Sequence, residues 1–137
     1  MITIQSDAYL SVAVPASPVE VVRIAGKIAS GLGIDEPAMD ILVTHDLAMR
    51  DLNKRFLNME GPTNVLGFPE SGEQGTDSLG QLVINVDAVK RESYLYGQDP
   101  YSYLVRLMVH GMLHLAGYGH GEIMSEMAEK LESLIKQ

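Results

Sequence analysis

The chain has 137 residues, is 46% hydrophobic, lacks cysteine and carries a formal net charge of −8. That length suits one globular domain spanning residues 1–137, with room for a sizeable core. The missing cysteines exclude a disulfide framework and thiolate metal sites, and the acidity opposes non-specific attraction to a polyanion, so any nucleic-acid contact needs a local basic patch.

The first residues, Met1 to Asp7, hold neither a basic leader region nor a long apolar one, and no stretch approaches the ~18 apolar residues of a membrane span. A soluble, cytoplasmic protein with no membrane partner is expected.

In chain order, residues 9–14 alternate (Leu10, Val12, Val14) as a first strand ending at Pro15. Ser17-Pro18-Val19-Glu20 is a capping box with proline at the first helical position. Val22, Ala25, Ile28, Ala29 and Leu32 give that helix an apolar stripe up to the glycines at 31 and 33. Residues 39–44 form a β-branched second strand, after which Asp46 caps a helix to about Leu57 with Met49, Leu52 and Phe56 buried. Asp46 with Arg50 and Asp51 with Arg55 stand at the four-residue spacing of helical ion pairs. His45, between strand and helix, reads as structural.

Residues 58–62 read as a loop, 63–69 as a third strand closed by proline, and 70–78 as a polar, mobile excursion. Residues 79–86 alternate as a fourth strand, and Asp87 caps a short helix to about Tyr96. Asp99-Pro100 then opens a helix over 101–116 with Leu104, Leu107, Met108, Met112 and Leu115 on one face. A last amphipathic helix carries Ile123, Met124, Met127, Leu131, Leu134 and Ile135. Interleaved helices and strands with two consecutive strands in the middle predict an α+β fold: a mixed four-stranded sheet packed with about five helices.

The chemistry is concentrated late in the chain, where three of its four histidines lie. On a helix, His110 and His114 sit ~40° apart in azimuth and about 6 Å apart along the axis, so both imidazoles can reach one ion. Gly117 stops the helix and the turn at Tyr118-Gly119 brings up His120. Three imidazoles leave a fourth tetrahedral position for water, the composition of a catalytic zinc site. The metalloprotease helix places a glutamate directly after its first histidine, and here that position is Gly111. Catalysis therefore rests on His110, His114 and His120 through the metal-bound water, and no other side chain stands out as a general base.

The helix-borne His110-Gly111-Met112-Leu113-His114-Leu115, then Gly117-Tyr118 and His120, with Leu52-Asn53 and Pro62-Thr63-Asn64-Val65-Leu66-Gly67-Phe68-Pro69, resemble the YbeY family of bacterial rRNA maturation factors. The resemblance runs from about Ile41 to the C-terminus. It implies a zincin-like metal helix holding one Zn2+ per chain through His110, His114 and His120. The implied activity is single-strand-specific endoribonuclease action in 16S rRNA 3′-end maturation and ribosome quality control, with the small ribosomal subunit or its proteins as partners.

The segment from Thr63 to Phe68 corresponds to the family's strand beside the active-site cleft, which makes Thr63 and Asn64 candidate substrate contacts. The family's arginine five residues before the Pro-Thr pair is Leu57 here. Lys54 and Arg55 are the nearest cations that could replace it on RNA, and each also reads as an ordinary solvated helix residue. The family's Gly-Tyr-Asp-His is Gly-Tyr-Gly-His, its Leu-Ser-Phe is Leu66-Gly67-Phe68, and its Gly-Asp-Ile is Gly80-Gln81-Leu82. Two other readings follow from those departures: a zinc-stabilised ribosome-associated binding factor with little nuclease activity, and a zinc hydrolase of another substrate class. The native metal and the oligomeric state are left open, because imidazole ligation suits several divalent ions.

Overall fold

In the computed structural model, which describes residues 1–7, 16–59, 61, 63–70 and 78–136, four strands form one sheet in the order β1-β2-β4-β3. The strands are β1 (Ile2–Ser6), β2 (Ala38–Thr44), β3 (Val65–Pro69) and β4 (Ser78–Asn85). The helices are α1 (Pro18–Gly31), α2 (Asp46–Leu57), α3 (Val86–Leu95), α4 (Pro100–Leu115) and α5 (Glu122–Lys136). β1, β2 and β4 run parallel, and β3 returns antiparallel along β4, so the expected mixed sheet with five helices is the fold found.

The strand expected at residues 9–14 lies outside the described residues; among those described, the edge of the sheet beside β2 is Ile2–Ser6, with Ile2 and Ile4 half-buried.

Alternation sorts the sheet's two faces. Met39, Ile41 and Val43 of β2 and Leu82 and Ile84 of β4 point to the main core beneath α1, α4 and α5. Leu42, Val83 and Leu66 point the other way, where Met49 and Leu52 of α2 cover them. α4 is the central core helix, with ten buried residues from Tyr103 to Leu115.

Its ends follow local chemistry. Asp99 accepts from the Ser102 amide with Pro100 in the first turn, and Ser17 caps α1 by accepting from the Glu20 amide. The apolar stripes are rotated in places from their sequence reading. α1 buries Val21, Ile24, Ala25, Ile28 and Ala29, while Val22 and Leu32 are half-buried. Phe56, Ile123 and Leu134, expected on the buried stripes, are exposed.

The other corrections share a cause, the C-terminal ends of β2 and β4. His45 takes the cap position of α2 and Asp46 is its first residue. Asp46 does not pair with Arg50. It accepts both guanidinium nitrogens of Arg91, at 3.0 and 3.3 Å, and the Asn85 amide at 2.7 Å. Arg91 holds the Asp46 carboxyl below the usual carboxylate range, and the same contact raises the Arg91 guanidinium. Asp51 and Arg55 form no ion pair among the described residues.

The cap of α3 is Asn85, with Asp87 inside the first turn. Asn85 is fully buried and saturated: it donates to Asp46 and to the Thr63 carbonyl at 3.0 Å, and accepts from the Asp87 and Ala88 amides. The helix that β4 runs into therefore starts at Val86, and the third strand starts at Val65, two residues later than its alternation suggested. Asn85→Ala removes a cap and leaves buried partners unmatched, so it should lower stability by about 2–4 kcal/mol in urea unfolding.

Candidate functional site

Because α4 is buried on almost every side, its last turns have one solvent-facing stripe at four-residue spacing: Arg106, His110 and His114. His110 and His114 are each one position before a residue that packs on the sheet. A Cβ on Gly111 would lie 2.6 Å from Leu82 Cδ1 and 3.2 Å from Val65 Cγ2, and Leu115 lies against Gly67 of β3. Gly111 is thus a point of close helix–sheet approach. The peptidase base position is occupied by the sheet, so it has no room for a carboxylate.

The helix ends at Ala116 with two reversed bonds. The Gly117 amide donates to the His114 carbonyl at 3.0 Å and the Tyr118 amide to the Leu113 carbonyl at 2.9 Å, with Gly117 at φ 96°. That turn places the Tyr118 carbonyl 3.2 Å from His114 Nδ1, so in the tautomer that donates there, Nε2 is free to ligate. It also folds His120 back, and the His114 and His120 rings meet with centroids 4.7 Å apart at 65°. Two imidazoles on one tetrahedral ion, bonded at ~2.1 Å, have centroids about 5 Å apart, so this pair has ligand spacing.

His110, one turn earlier on the same stripe, does not join them in a single cluster: among the described residues no three His, Asp or Glu side chains converge on one point. The His114–His120 pair fits a metal as imidazole donors.

His110 is held below the ordinary imidazole range, first by desolvation. Glu132 pulls the other way, and Arg106, His114 and His120 add to the lowering. Arg106 Nε donates to Glu132 at 3.2 Å, tying α5 to this stripe. As pH falls through the ordinary imidazole range, the unfolded chain binds a proton that folded His110 still refuses, so stability falls with pH in that window. The Tm of the metal-free protein should decline from pH 7.5 to 5.5, and less steeply in His110→Gln, as calorimetry would read.

The other candidate residues are dispersed. Lys54 is exposed on α2, and Arg55 stands on the sheet's outer face, away from α4. Asn64 donates to Glu92 at 3.0 Å, and Glu92 also accepts from the Tyr103 hydroxyl, so the Asn64 side chain ties the approach to β3 onto α3 and α4. Burial and Glu92 push the Tyr103 phenol strongly upward. Thr63 offers its carbonyl to Asn85. Leu57 is exposed, and a Cβ on Gly119 would meet nothing within 4 Å.

Residues 17–137 match the family described as endoribonuclease YbeY. The chain belongs to the YbeY family. The endoribonuclease YbeY of Oleidesulfovibrio alaskensis is 39% identical over a match covering 80% of this chain and 78% of the relative. That of Geobacter metallireducens is 32% identical, covering 81% and 77%. A solution structure from Thermotoga maritima superposes with a TM-score of 0.69, covering 98% of this chain and 89% of the other at 22% identity, which shows a shared fold. Within this YbeY-family chain, among the described residues, no helix is long and apolar enough to cross a membrane.

Sequence reading missed the Tyr118 carbonyl, Glu132 and Glu92. The first was implicit in the glycine stop after His114. Glu132 reaches the histidine stripe from α5 and Glu92 reaches Asn64 from α3, contacts between elements that leave no local signal.

Proposed function

We propose that residues 1–137 act as one domain, a zinc-dependent endoribonuclease that cuts single-stranded RNA. In the cell it would act in the cytoplasm, in 16S rRNA 3′-end maturation and ribosome quality control on the small subunit. The observation that carries the reading is the His114–His120 ring pair at 4.7 Å in a YbeY-family chain, with His114 at the end of α4 braced by the Tyr118 carbonyl and His120 on the turn that follows. Members of this family are named endoribonucleases, enzymes that hydrolyse RNA phosphodiester bonds.

His110, His114 and His120 would hold the ion. When bound, it supplies Lewis acidity toward a phosphoryl oxygen and a water of lowered pKa. The chain's own part is to keep the imidazoles neutral and aimed: His110 by its lowered proton affinity, His114 by its bond to Tyr118. The overall charge of −8 means RNA is not gathered by long-range attraction. Contacts near the site must then supply the affinity.

The test is cleavage of a single-stranded fragment from the 3′ end of precursor 16S rRNA against the same fragment annealed to its complement. Cutting of the single strand alone is expected. Equal cutting of the duplex would overturn the strand specificity, and RNA bound but never cut would favour the ribosome-associated binding factor.

A further inference from the structure

The outer face of the sheet is half covered. α2 packs over Leu42, Val83 and Leu66, and among the described residues the neighbouring row lines an open groove. Register aligns Thr3 with Asp40, Asp40 with Gln81, and Gln81 with Phe68, so one residue from each strand forms a continuous row across all four. Asp40 and Gln81 are exposed, and the Thr3 hydroxyl donates to the Asp40 carboxylate. The row floors a groove of about 600 Å³ whose wall includes Arg55 and Phe56 of α2. Phe56 meets Phe68 edge-to-face at 5.3 Å and 67°. Arg55 makes no ion pair among the described residues.

We propose that this groove is a binding subsite for a guanine base of single-stranded RNA. The inference rests on the RNA reading above. An unstacked base is bound by an aromatic ring on its face and by hydrogen bonds on its edge, and the groove offers Phe68 for the first and the polar row for the second. Among the four bases, guanine alone presents two adjacent donors, N1–H and the N2 amino group, which one carboxylate can accept together. Asp40 is that carboxylate. The adjacent O6 acceptor suits the Gln81 amide or the Arg55 guanidinium.

The acidity of Asp40 would repel a phosphate laid across the row but does not oppose a neutral base. Edge strand β3 links the groove to the histidines: Gly67 lies beneath Leu115 of α4, and the next residue, Phe68, faces the groove. A strand passing over that edge could touch both.

The test uses labelled oligouridylate carrying one guanine or, in its place, one inosine, which lacks the N2 amino group. Binding is read by fluorescence anisotropy on His114→Ala protein, so that cleavage does not enter. The guanine oligonucleotide should bind on the order of tenfold tighter, because only guanine fills both acceptor positions of the carboxylate. Adding Asp40→Asn should make the two equal. Adding Phe68→Leu should weaken both about tenfold, by loss of stacking. Thermal melts check that each variant folds.

Equal binding of the two oligonucleotides to the parent protein, or a preference that survives Asp40→Asn, would overturn the subsite. A wild-type protein that cuts no RNA would sink the nuclease reading and leave this binding result to be judged separately.

Discussion

His114→Ala should abolish RNA cleavage while leaving the fold intact. Removing partners one shell out from a metal typically costs 10–100-fold in affinity or activity, so deleting a direct ligand should cost more than about 100-fold. His114 is exposed and its side chain makes one hydrogen bond, to the Tyr118 carbonyl. Surface changes of that kind stay within about 0.5 kcal/mol. Calorimetry on metal-free protein should therefore find little change in Tm, while initial rates on single-stranded RNA fall to background. A parallel loss of Tm and activity would make His114 a structural residue.

Gly111→Glu is expected to do the reverse. The position carries the base in zinc peptidases, but here its Cβ would lie 2.6 Å from the side chain of Leu82, itself fully buried. A carboxylate there is buried against the Leu82 and Val65 side chains, at a cost of several kcal/mol. Against a typical total of about 5–15 kcal/mol, that leaves little folded protein. Gly111→Ala adds only a methyl group: overpacking of about 1–3 kcal/mol, offset by up to about 1 kcal/mol of helix propensity. Circular dichroism melts should rank wild type above Gly111→Ala above Gly111→Glu. A stable Gly111→Glu protein would mean that α4 can lift from the sheet.

Local signals carried most of the fold. Asp99-Pro100, Ser17-Pro18 and Gly117 mark helix ends through bonds within a few residues, and the structure places those ends where they were read. The donor stripe of His110 and His114 was equally legible, because helical spacing alone puts them on one face. What stayed hidden is tertiary. Asp46 looked paired with Arg50 one turn away, yet Arg91 reaches it from α3 and adds the hydrogen bonds of a planar fork. β1 was overlooked because only two of its five residues, Ile2 and Ile4, are apolar, and both are only half-buried. The polar row on the sheet's outer face could not be read at all without the strand register.

The central claim, that the three histidines hold the ion on which RNA cleavage depends, is tested most directly by titrating metal. Purified protein would be stripped with a chelator and zinc returned in steps, with bound metal measured by elemental analysis and single-stranded RNA cleavage measured on the same samples. Cleavage should vanish on stripping and return in proportion to bound zinc, saturating at one ion per chain. Cleavage that persists in metal-free protein would contradict the claim.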